Sequence, residues 1–273
     1  MNGTRTAWTA AYAATVQHFS QCDSTNSWAV QHSHQIPAED LPLLVLADLQ
    51  TGGRGRAGRS WFADAGTLTF SLLDSAQRLQ FSKSQLPRLA LITGLAVAEA
   101  IEQFIPPVRA SLKWPNDVYV AGGKAAGILV ESAAGSDHRV VIGVGVNVAT
   151  DLTTPAVAAV DPQLGQRARS LARIANRPLD RNELLPLILE RLDDHLAAFS
   201  GADDAQLDHQ FANLVKTIET RCFLTGKEIT LQQGPARLRG LCQGIDPSGA
   251  LRVLIDGQLQ QIQSGEVIRV ASS

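Results

Sequence analysis

The chain contains the segment Gln50-Thr51-Gly52-Gly53-Arg54-Gly55-Arg56-Ala57-Gly58-Arg59-Ser60-Trp61, which is more informative about structure and chemistry than any other part of the sequence. Its four glycines allow the backbone to approach a ligand closely, and its three arginines supply permanent positive charge in a geometry that suits phosphate or carboxylate. The spacing matches neither a P-loop nor the dinucleotide-binding fingerprint. The segment predicts an anion-binding loop of another kind; a flexible Arg-Gly-rich surface loop is the alternative.

Regular structure is predicted on both sides of this loop. Two short apolar runs, Leu43 to Asp48 and Thr67 to Leu73, have the length and pattern of β-strands. Apolar residues then recur every three or four positions and predict an amphipathic helix over Leu86 to Phe104. Two β-rich runs follow, Ala126 to Ser132 and Arg139 to Val148, and a polar turn between them predicts an antiparallel pair.

Further helices are expected near the start and in the second half of the chain. The stretch Thr9 to Phe19 lacks strong breakers and is interpreted as a short helix. Asp151 to Gln166 contains prolines and is expected to be a loop. Asp180 and Glu183 form a plausible capping pair for the next helix, and another helix is expected over Asp204 to Glu219.

After Arg221 the pattern changes to short β runs separated by turn residues. The predicted strands are Glu228 to Leu231, Ala236 to Gly244, Ala250 to Ile255, Gln258 to Gln263 and Val267 to Val270. A block of this length made of short strands is typical of a small β-barrel. We therefore expect two domains, residues 1–220 and residues 221–273.

Composition excludes several functional classes. The 273 residues carry 24 basic and 26 acidic side chains, a net charge of −2, so nothing in the overall charge indicates a nucleic-acid binder or a polybasic membrane protein. No apolar run has the length of a membrane-spanning helix. Three cysteines, Cys22, Cys222 and Cys242, are too few for a disulfide framework or a zinc site and are expected to be reduced thiols of a cytoplasmic protein.

Three further segments carry polar side chains in suggestive places. Asp23-Ser24-Thr25-Asn26 offers hydroxyl and amide groups at an expected helix start, where a simple N-cap is the alternative role. Lys113-Trp114-Pro115-Asn116-Asp117 forms a turn whose amide and carboxylate could hold a sugar or backbone groups, although such turns are often only structural. Lys124 lies in a glycine-rich loop before an apolar strand and could act on a carboxylate or phosphate, or could simply be solvated.

Taken in this order, these four segments and the strand Val141 to Val148 resemble the biotin protein ligases over roughly residues 20 to 150, with a weaker likeness at residues 244–267. The resemblance implies an α+β fold: a mixed sheet with flanking helices, like that of class II aminoacyl-tRNA synthetases, followed by a Src-homology-3-like β-barrel. It also implies a two-step reaction, in which biotin and ATP form biotinyl-5′-adenylate and a lysine of a biotin carboxyl carrier protein then takes the biotin.

The resemblance also assigns candidate site residues. It implies biotin contacts by Ser24, Thr25, Asn26, Gln50, Arg54, Gly55, Arg56 and Lys124, nucleotide contacts by Arg56, Asn116, Asp117 and Lys124, and catalytic roles for Lys124 and Arg56. Mg²⁺ would enter with ATP, close to Asp117, without a metal site built by the protein. This chemistry agrees with the residue types, because attack of a carboxylate on the α-phosphate requires cations and N–H donors to offset repulsion between two anions.

Three other functions fit the sequence less well. A lipoate protein ligase shares the implied fold but, by family resemblance, lacks this Arg-Gly loop. A biotin-sensing DNA-binding regulator is disfavoured by the net charge and because only 22 residues precede Asp23, so no DNA partner is expected. An RNA-binding module would need aromatic residues among the loop arginines, and there are none between Arg54 and Arg59.

The sequence also bears on metal binding and on assembly. His32 and His34 lack a third metal ligand nearby, so they are expected to be surface histidines. A free sheet edge would allow a homodimer.

Overall fold

The structure, a computed structural model, describes residues 13–82, 84–133 and 139–271. Its helices are α1 (Thr25–His32), α2 (Leu86–Phe104), α3 (Pro155–Val160), α4 (Leu164–Arg167), α5 (Leu171–Ala175), α6 (Arg181–Ala197) and α7 (Asp204–Thr220). Its strands are β1 (Thr15–Phe19), β2 (Leu43–Ala47), β3 (Thr67–Ser75), β4 (Ala110–Lys113), β5 (Asp117–Val120), β6 (Gly123–Ser132), β7 (Arg139–Asn147), β8 (Glu228–Gln233), β9 (Ala236–Ile245), β10 (Leu251–Ile255), β11 (Gln258–Ile262) and β12 (Glu266–Val270). The fold is mixed α+β, as expected.

The first seven strands form one mixed sheet in the order β1-β2-β3-β7-β6-β5-β4. β1 and β2 are parallel, and each of the other neighbouring pairs is antiparallel. The expected antiparallel pairing of β6 with β7 is confirmed, with Gly127 opposite Gly145. The short strand β5 was not foreseen, because its four residues follow directly on the predicted turn.

The prediction of a helix over Thr9 to Phe19 is wrong where the structure describes it. Residues 15–19 form β1, in which Thr15 lies opposite Leu43 and Phe19 opposite Ala47. Hydrogen bonding to β2 overrides a weak local preference for helix, because only the strand conformation satisfies the backbone groups of both segments. Residues 9–12 lie outside the described part of the chain.

Alternation of side chains along the strands gives the sheet two different faces. On one face, Phe70, Leu72 and Ile142 are buried in a large apolar cluster with α2 and α6. α2 has the bounds that its periodicity predicts. On the other face, α1 covers a smaller cluster that includes Leu43 and Leu73. The polar cavity described below opens on this second face, beside α1.

Two details of the second half differ from expectation. The segment from Asp151 to Gln166 is not a simple loop, because α3 and α4 form within it and Pro155 occupies the first turn of α3, where its missing N–H is not needed. Asp180 does cap α6, but its carboxylate accepts a hydrogen bond from the backbone N–H of Asn182 at 2.8 Å, and no contact of the Glu183 side chain completes a capping box in the described residues.

The last five strands form a separate antiparallel sheet in the order β11-β10-β9-β8-β12. All five predicted C-terminal strands are present, and positive-φ glycines at Gly249 and Gly257 make two of the turns. The two sheets are in direct contact: Trp114 Nε1 donates to the carbonyl of Gly249 at 3.0 Å. Among the described residues, no helix is long and apolar enough to cross a membrane.

Candidate functional site

A cavity of about 990 Å³ opens on the α1 face of the seven-stranded sheet. Its lining includes the ten residues to which the resemblance gives site roles: Ser24, Thr25, Asn26, Gln50, Arg54, Gly55, Arg56, Asn116, Asp117 and Lys124. The glycine-arginine loop forms one wall, the start of α1 another, and residues from β12 contribute at the far side. Segments distant in the sequence thus converge on one volume large enough for a nucleotide-sized ligand.

Hydrogen bonds hold the first turn of α1 against Gln50 and against Ser71 of β3. Ser24 is the N-cap, accepting from the backbone N–H of Ser27, so the structural role weighed for it is present. Gln50 Oε1 accepts from Thr25 twice, from the backbone N–H at 2.7 Å and from Oγ1 at 3.0 Å. Ser71 Oγ lies 2.8 Å from Thr25 Oγ1. Each of these polar groups is therefore held in one orientation.

Asn26 lies directly on the sheet. Its Oδ1 accepts from Ser71 Oγ at 2.7 Å, and its Nδ2 donates to Glu131 Oε2 at 2.8 Å. A Cβ built on Gly143 of β7 would lie only 2.1 Å from Asn26 Oδ1. A glycine is required at this position because any side chain would displace Asn26.

The Trp61 side chain lies on β7 in a similar way, over Gly145, which is two residues beyond Gly143. A Cβ on Gly145 would come within 2.5 Å of the indole ring, and a Cβ on Gly127, its neighbour on β6, would lie 3.2 Å from that ring. The three strand glycines, Gly127, Gly143 and Gly145, therefore let Asn26 and Trp61 reach the backbone. We call this surface the glycine floor of the cavity.

A β-bulge places Lys124 in the site. Val118 pairs with Ala126, but Tyr119 pairs with Lys124, so Ala125 is an extra residue in β6. In a regular strand, side chains three residues apart point to opposite faces. The bulge reverses this relation and brings Lys124 to the face of Gly127, where its Nζ lies 2.5 Å from Asp117 Oδ1 and 5.4 Å from the Trp61 ring centroid. Lys124 thus lies within β6 rather than in a flexible loop.

Two more cations, Arg56 and Lys113, enter the same region from half-buried positions. Arg56 donates from its guanidinium to Asn116 Oδ1 at 3.3 Å, and Asn116 is itself held to β6 through the carbonyl of Ile128. Desolvation lowers the pKa of Arg56, opposed by the charge of Asp117. Desolvation also lowers the pKa of Lys113, with like charges from Lys124 and Arg59 acting in the same direction. Positive charge is concentrated here at an energetic cost, which an anionic ligand would relieve.

The glycine-arginine loop is a small hairpin that forms ion pairs with β6 on one side and with β12 on the other. Gly55 N–H donates to the carbonyl of Arg59 at 2.7 Å, and Arg54 forms an ion pair with Glu131. Arg59 pairs with Glu266 of β12 at 2.6 Å. The loop therefore bridges the large sheet and the C-terminal sheet across the mouth of the cavity.

Sequence reasoning missed several residues of this site: Trp61, Ser71, Lys113, Glu131 and Glu266. A tryptophan directly after a glycine-rich loop and a serine inside an apolar strand were available signals. The partners of Glu131 and Glu266 come from segments far away in the chain, so no local pattern could have shown their roles. In the described ranges, no three His, Cys, Asp or Glu side chains are grouped to hold a metal ion.

Comparisons with known proteins agree with this geometry. Residues 19–147 match the model of the biotin/lipoate A/B protein ligase family, and residues 224–270 match the biotin protein ligase C-terminal domain. A biotin--[acetyl-CoA-carboxylase] ligase of Paracoccus denitrificans is 33% identical, over 90% of this chain and 96% of that protein. One of Mycobacterium tuberculosis is 31% identical, over 84% of this chain and 79% of that protein.

Solved structures show the same relationship in three dimensions. A biotin protein ligase from Aquifex aeolicus, in complex with biotin and ATP, superposes with a TM-score of 0.77 at 29% identity and covers 95% of this chain and 99% of its own. The matches extend through both sheets and include the loop, α1 and the glycine floor. The chain therefore belongs to the biotin protein ligases.

Proposed function

We propose that this chain activates biotin with ATP to biotinyl-5′-adenylate and transfers the biotin to a specific lysine of a biotin carboxyl carrier protein. The observation that carries the proposal is the convergence of Lys124 and Arg56 on one cationic end of a cavity that is walled elsewhere by α1 and Trp61. The cationic end suits the phosphate, and the polar groups of α1 beside the Trp61 ring suit an uncharged ring system. ATP and biotin are also the ligands of the related Aquifex structure.

In the first step, the biotin carboxylate attacks the α-phosphate of ATP, the bond from that phosphorus to the bridging oxygen breaks, and pyrophosphate leaves. Both groups are anionic, so Lys124 would lie between them and stabilise the negative charge that develops on the phosphoryl oxygens. Its pairing with Asp117 holds Nζ in place before the ligands arrive. Arg56 would contact the same phosphate, and Asn116 would orient Arg56 through the hydrogen bond between them.

The biotin ring would lie beside α1. Gln50 accepts from Thr25, and Asn26 is held by Ser71 and Glu131, so the three side chains present a fixed set of polar groups. Ser24 is at the same helix end. Trp61 would form the apolar wall next to them.

Mg²⁺ is expected to accompany ATP. Asp117 is the carboxylate closest to the cationic end, but its Oδ1 is engaged with Lys124. Phosphate oxygens and water would therefore supply most of the Mg²⁺ ligands, which is common for this ion.

The proposal includes a division of the chain into a catalytic domain, residues 1–220, and a Src-homology-3-like barrel, residues 221–273. What supports it is the change at residue 220 from helix to five short antiparallel strands. A catalytic sheet like that of class II aminoacyl-tRNA synthetases, a cytoplasmic location and a homodimer formed through a sheet edge belong to the same proposal. Analytical ultracentrifugation tests the last of these.

The decisive experiment is biotin-dependent ATP–pyrophosphate exchange, because it measures adenylate formation without a protein partner. Exchange with biotin and none with lipoate supports the proposal, and the match to a biotin protein ligase C-terminal domain favours this result over a lipoate ligase. Transfer is then measured on a carrier protein and on a variant whose acceptor lysine is replaced by arginine. Exchange with lipoate alone would contradict the proposal. So would equal labelling of the carrier protein and of its variant without the acceptor lysine.

A further inference from the structure

Two of the three cysteines lie together near the start of the C-terminal sheet. Cys222 follows α7 and is in the turn that leads to β8, whereas Cys242 is on β9. The backbone folds the turn over β9: Gly226 N–H donates to the carbonyl of Cys242 at 2.9 Å, and Cys242 N–H donates to the carbonyl of Lys227 at 2.9 Å. The turn and β9 thus place the two side chains next to each other, with the Cys242 thiol as hydrogen-bond donor to Cys222.

We propose that Cys222 and Cys242 are a reversible redox site, at which a hydroperoxide oxidises the two thiols to an intramolecular disulfide. Cys222 is the partly exposed member and Cys242 is fully buried. An oxidant from solvent therefore reaches Cys222 first, and Cys242 is in position to react with the product.

The electrostatics of the pair assign the same order. A hydrogen bond from Cys242, together with further hydrogen bonds from Thr225 and from the backbone N–H of Leu224, lowers the pKa of Cys222 and outweighs the opposing effect of burial. The pKa of Cys242 is raised by this same contact and by burial, although its sulfur also accepts from Gly244 N–H at 3.5 Å. Cys222 is therefore the thiolate, which is the reactive form.

The chemistry balances in two steps. The Cys222 thiolate attacks one oxygen of the hydroperoxide and breaks the O–O bond, giving a sulfenic acid and an alkoxide that leaves as an alcohol after taking up a proton. The sulfur of Cys242 then attacks the sulfenic sulfur, the S–O bond breaks, and the hydroxide leaves as water with the Cys242 proton. Two thiols lose two electrons, and the hydroperoxide gains them.

The bond would connect parts of the protein that already touch. Backbone hydrogen bonds join Leu112 of β4 to the segment on both sides of Cys222: Leu112 N–H donates to Arg221, and Phe223 N–H donates to Leu112. Phe223 in turn packs against Tyr119, with ring centroids 4.7 Å apart, at the edge of the cavity. A disulfide would therefore link the large sheet's edge to β9.

The remaining cysteine is an internal control. Burial, followed by the charge of Asp23, raises the pKa of Cys22 to about 11. Cys22 is therefore protonated near neutral pH, whereas hydrogen bonds favour the thiolate of Cys222. We expect the free thiol of Cys222 to be lost before that of Cys22.

The test treats the full-length chain with hydrogen peroxide and maps it by mass spectrometry without reduction. We expect tryptic peptides 222–227 and 240–252 to be joined in protein that remains monomeric on a non-reducing gel, and dithiothreitol to separate them. Free thiols should fall from three to one. Linkage only between two chains, or loss of Cys22 before any joined peptide is seen, would overturn the proposal.

Two variants separate the steps. In Cys242→Ser, the same peroxide dose should leave Cys222 as a sulfenic acid that dimedone traps; in Cys222→Ser, Cys242 should stay unmodified in the folded protein. Oxidation of Cys242 at the wild-type rate without Cys222 would refute the assigned order. Should either variant fail to fold, the wild-type map and its Cys22 control still decide the question.

Discussion

The Nζ of Lys124 lies 2.5 Å from Oδ1 of Asp117, on the neighbouring strand, and a bulge at Ala125 makes this contact geometrically available. Neither strand alone would direct a cation into the cavity. Because the lysine is held before any ligand binds, it can act on charge that develops during reaction without first being ordered.

We expect Lys124→Ala to reduce biotin-dependent exchange by about a hundredfold or more, since removing one donor from a developing phosphoryl anion costs about 3 to 4 kcal/mol. The measurement is the exchange rate at saturating biotin and ATP. Lys216→Ala is the matched control, because Lys216 is exposed on α7, where its Nζ donates to Asn213 Oδ1 at 2.9 Å, outside the cavity lining. Near-normal exchange in Lys124→Ala would mean that the lysine is a solvated bystander.

The glycine floor is tested by Gly143→Ala. The added Cβ would lie 2.1 Å from Asn26 Oδ1, so Asn26 must move, and overpacking of this kind costs about 1 to 3 kcal/mol. We expect the KM for biotin to rise at least about tenfold, with the KM for ATP changed less. Gly94→Ala provides the control, because its Cβ would meet Leu112 at an ordinary 3.5 Å. Unchanged biotin binding in Gly143→Ala would contradict the placement of biotin beside α1.

Arg56→Gly should release the activated intermediate rather than abolish its formation. The loop can close over the adenylate, and losing one charge-assisted contact of about 1.5 to 3 kcal/mol would weaken retention roughly ten- to hundredfold. Leaked adenylate would then label lysines of an unrelated protein such as serum albumin, which is the readout. Arg109→Gly, at an exposed loop position, should not increase this labelling. If exchange persists in Arg56→Gly and albumin stays unlabelled, another loop residue retains the intermediate.

The contact between the loop and β12 is tested by Glu266→Gln. The ion pair of Glu266 with Arg59 is partly exposed, so its contribution is about 0.2 to 1 kcal/mol. Tryptic cleavage in the loop should therefore accelerate by a factor of up to about five, and added salt should reduce the difference. Glu228→Gln, which breaks a pair with Arg239 elsewhere in the same sheet, should leave loop cleavage unchanged. Equal cleavage in both variants would show that β12 does not restrain the loop.

Elements with strong local signals were predictable from the sequence. The apolar period of α2 and the prolines after it define both of its ends, and alternating apolar residues define β3. β1 was mistaken for helix because its strand character depends on pairing with β2, which no local pattern encodes. The structure brings the ten candidate residues into one cavity. The residues that hold them in place, such as Ser71 beside Asn26, could not be predicted because these contacts depend on how the strands pack against α1.

The glycine floor also limits how this cavity can change. Gly127, Gly143 and Gly145 have no side chain to remove, so a substitution there can only push Asn26, Trp61 or Lys124 into the cavity and cannot deepen it. A bulkier analogue of the ring-shaped substrate can therefore be admitted only by shortening the side chains that line the cavity, such as Trp61. Variants that accept enlarged biotin analogues should be sought among those side chains, because the strands beneath them have nothing left to shorten.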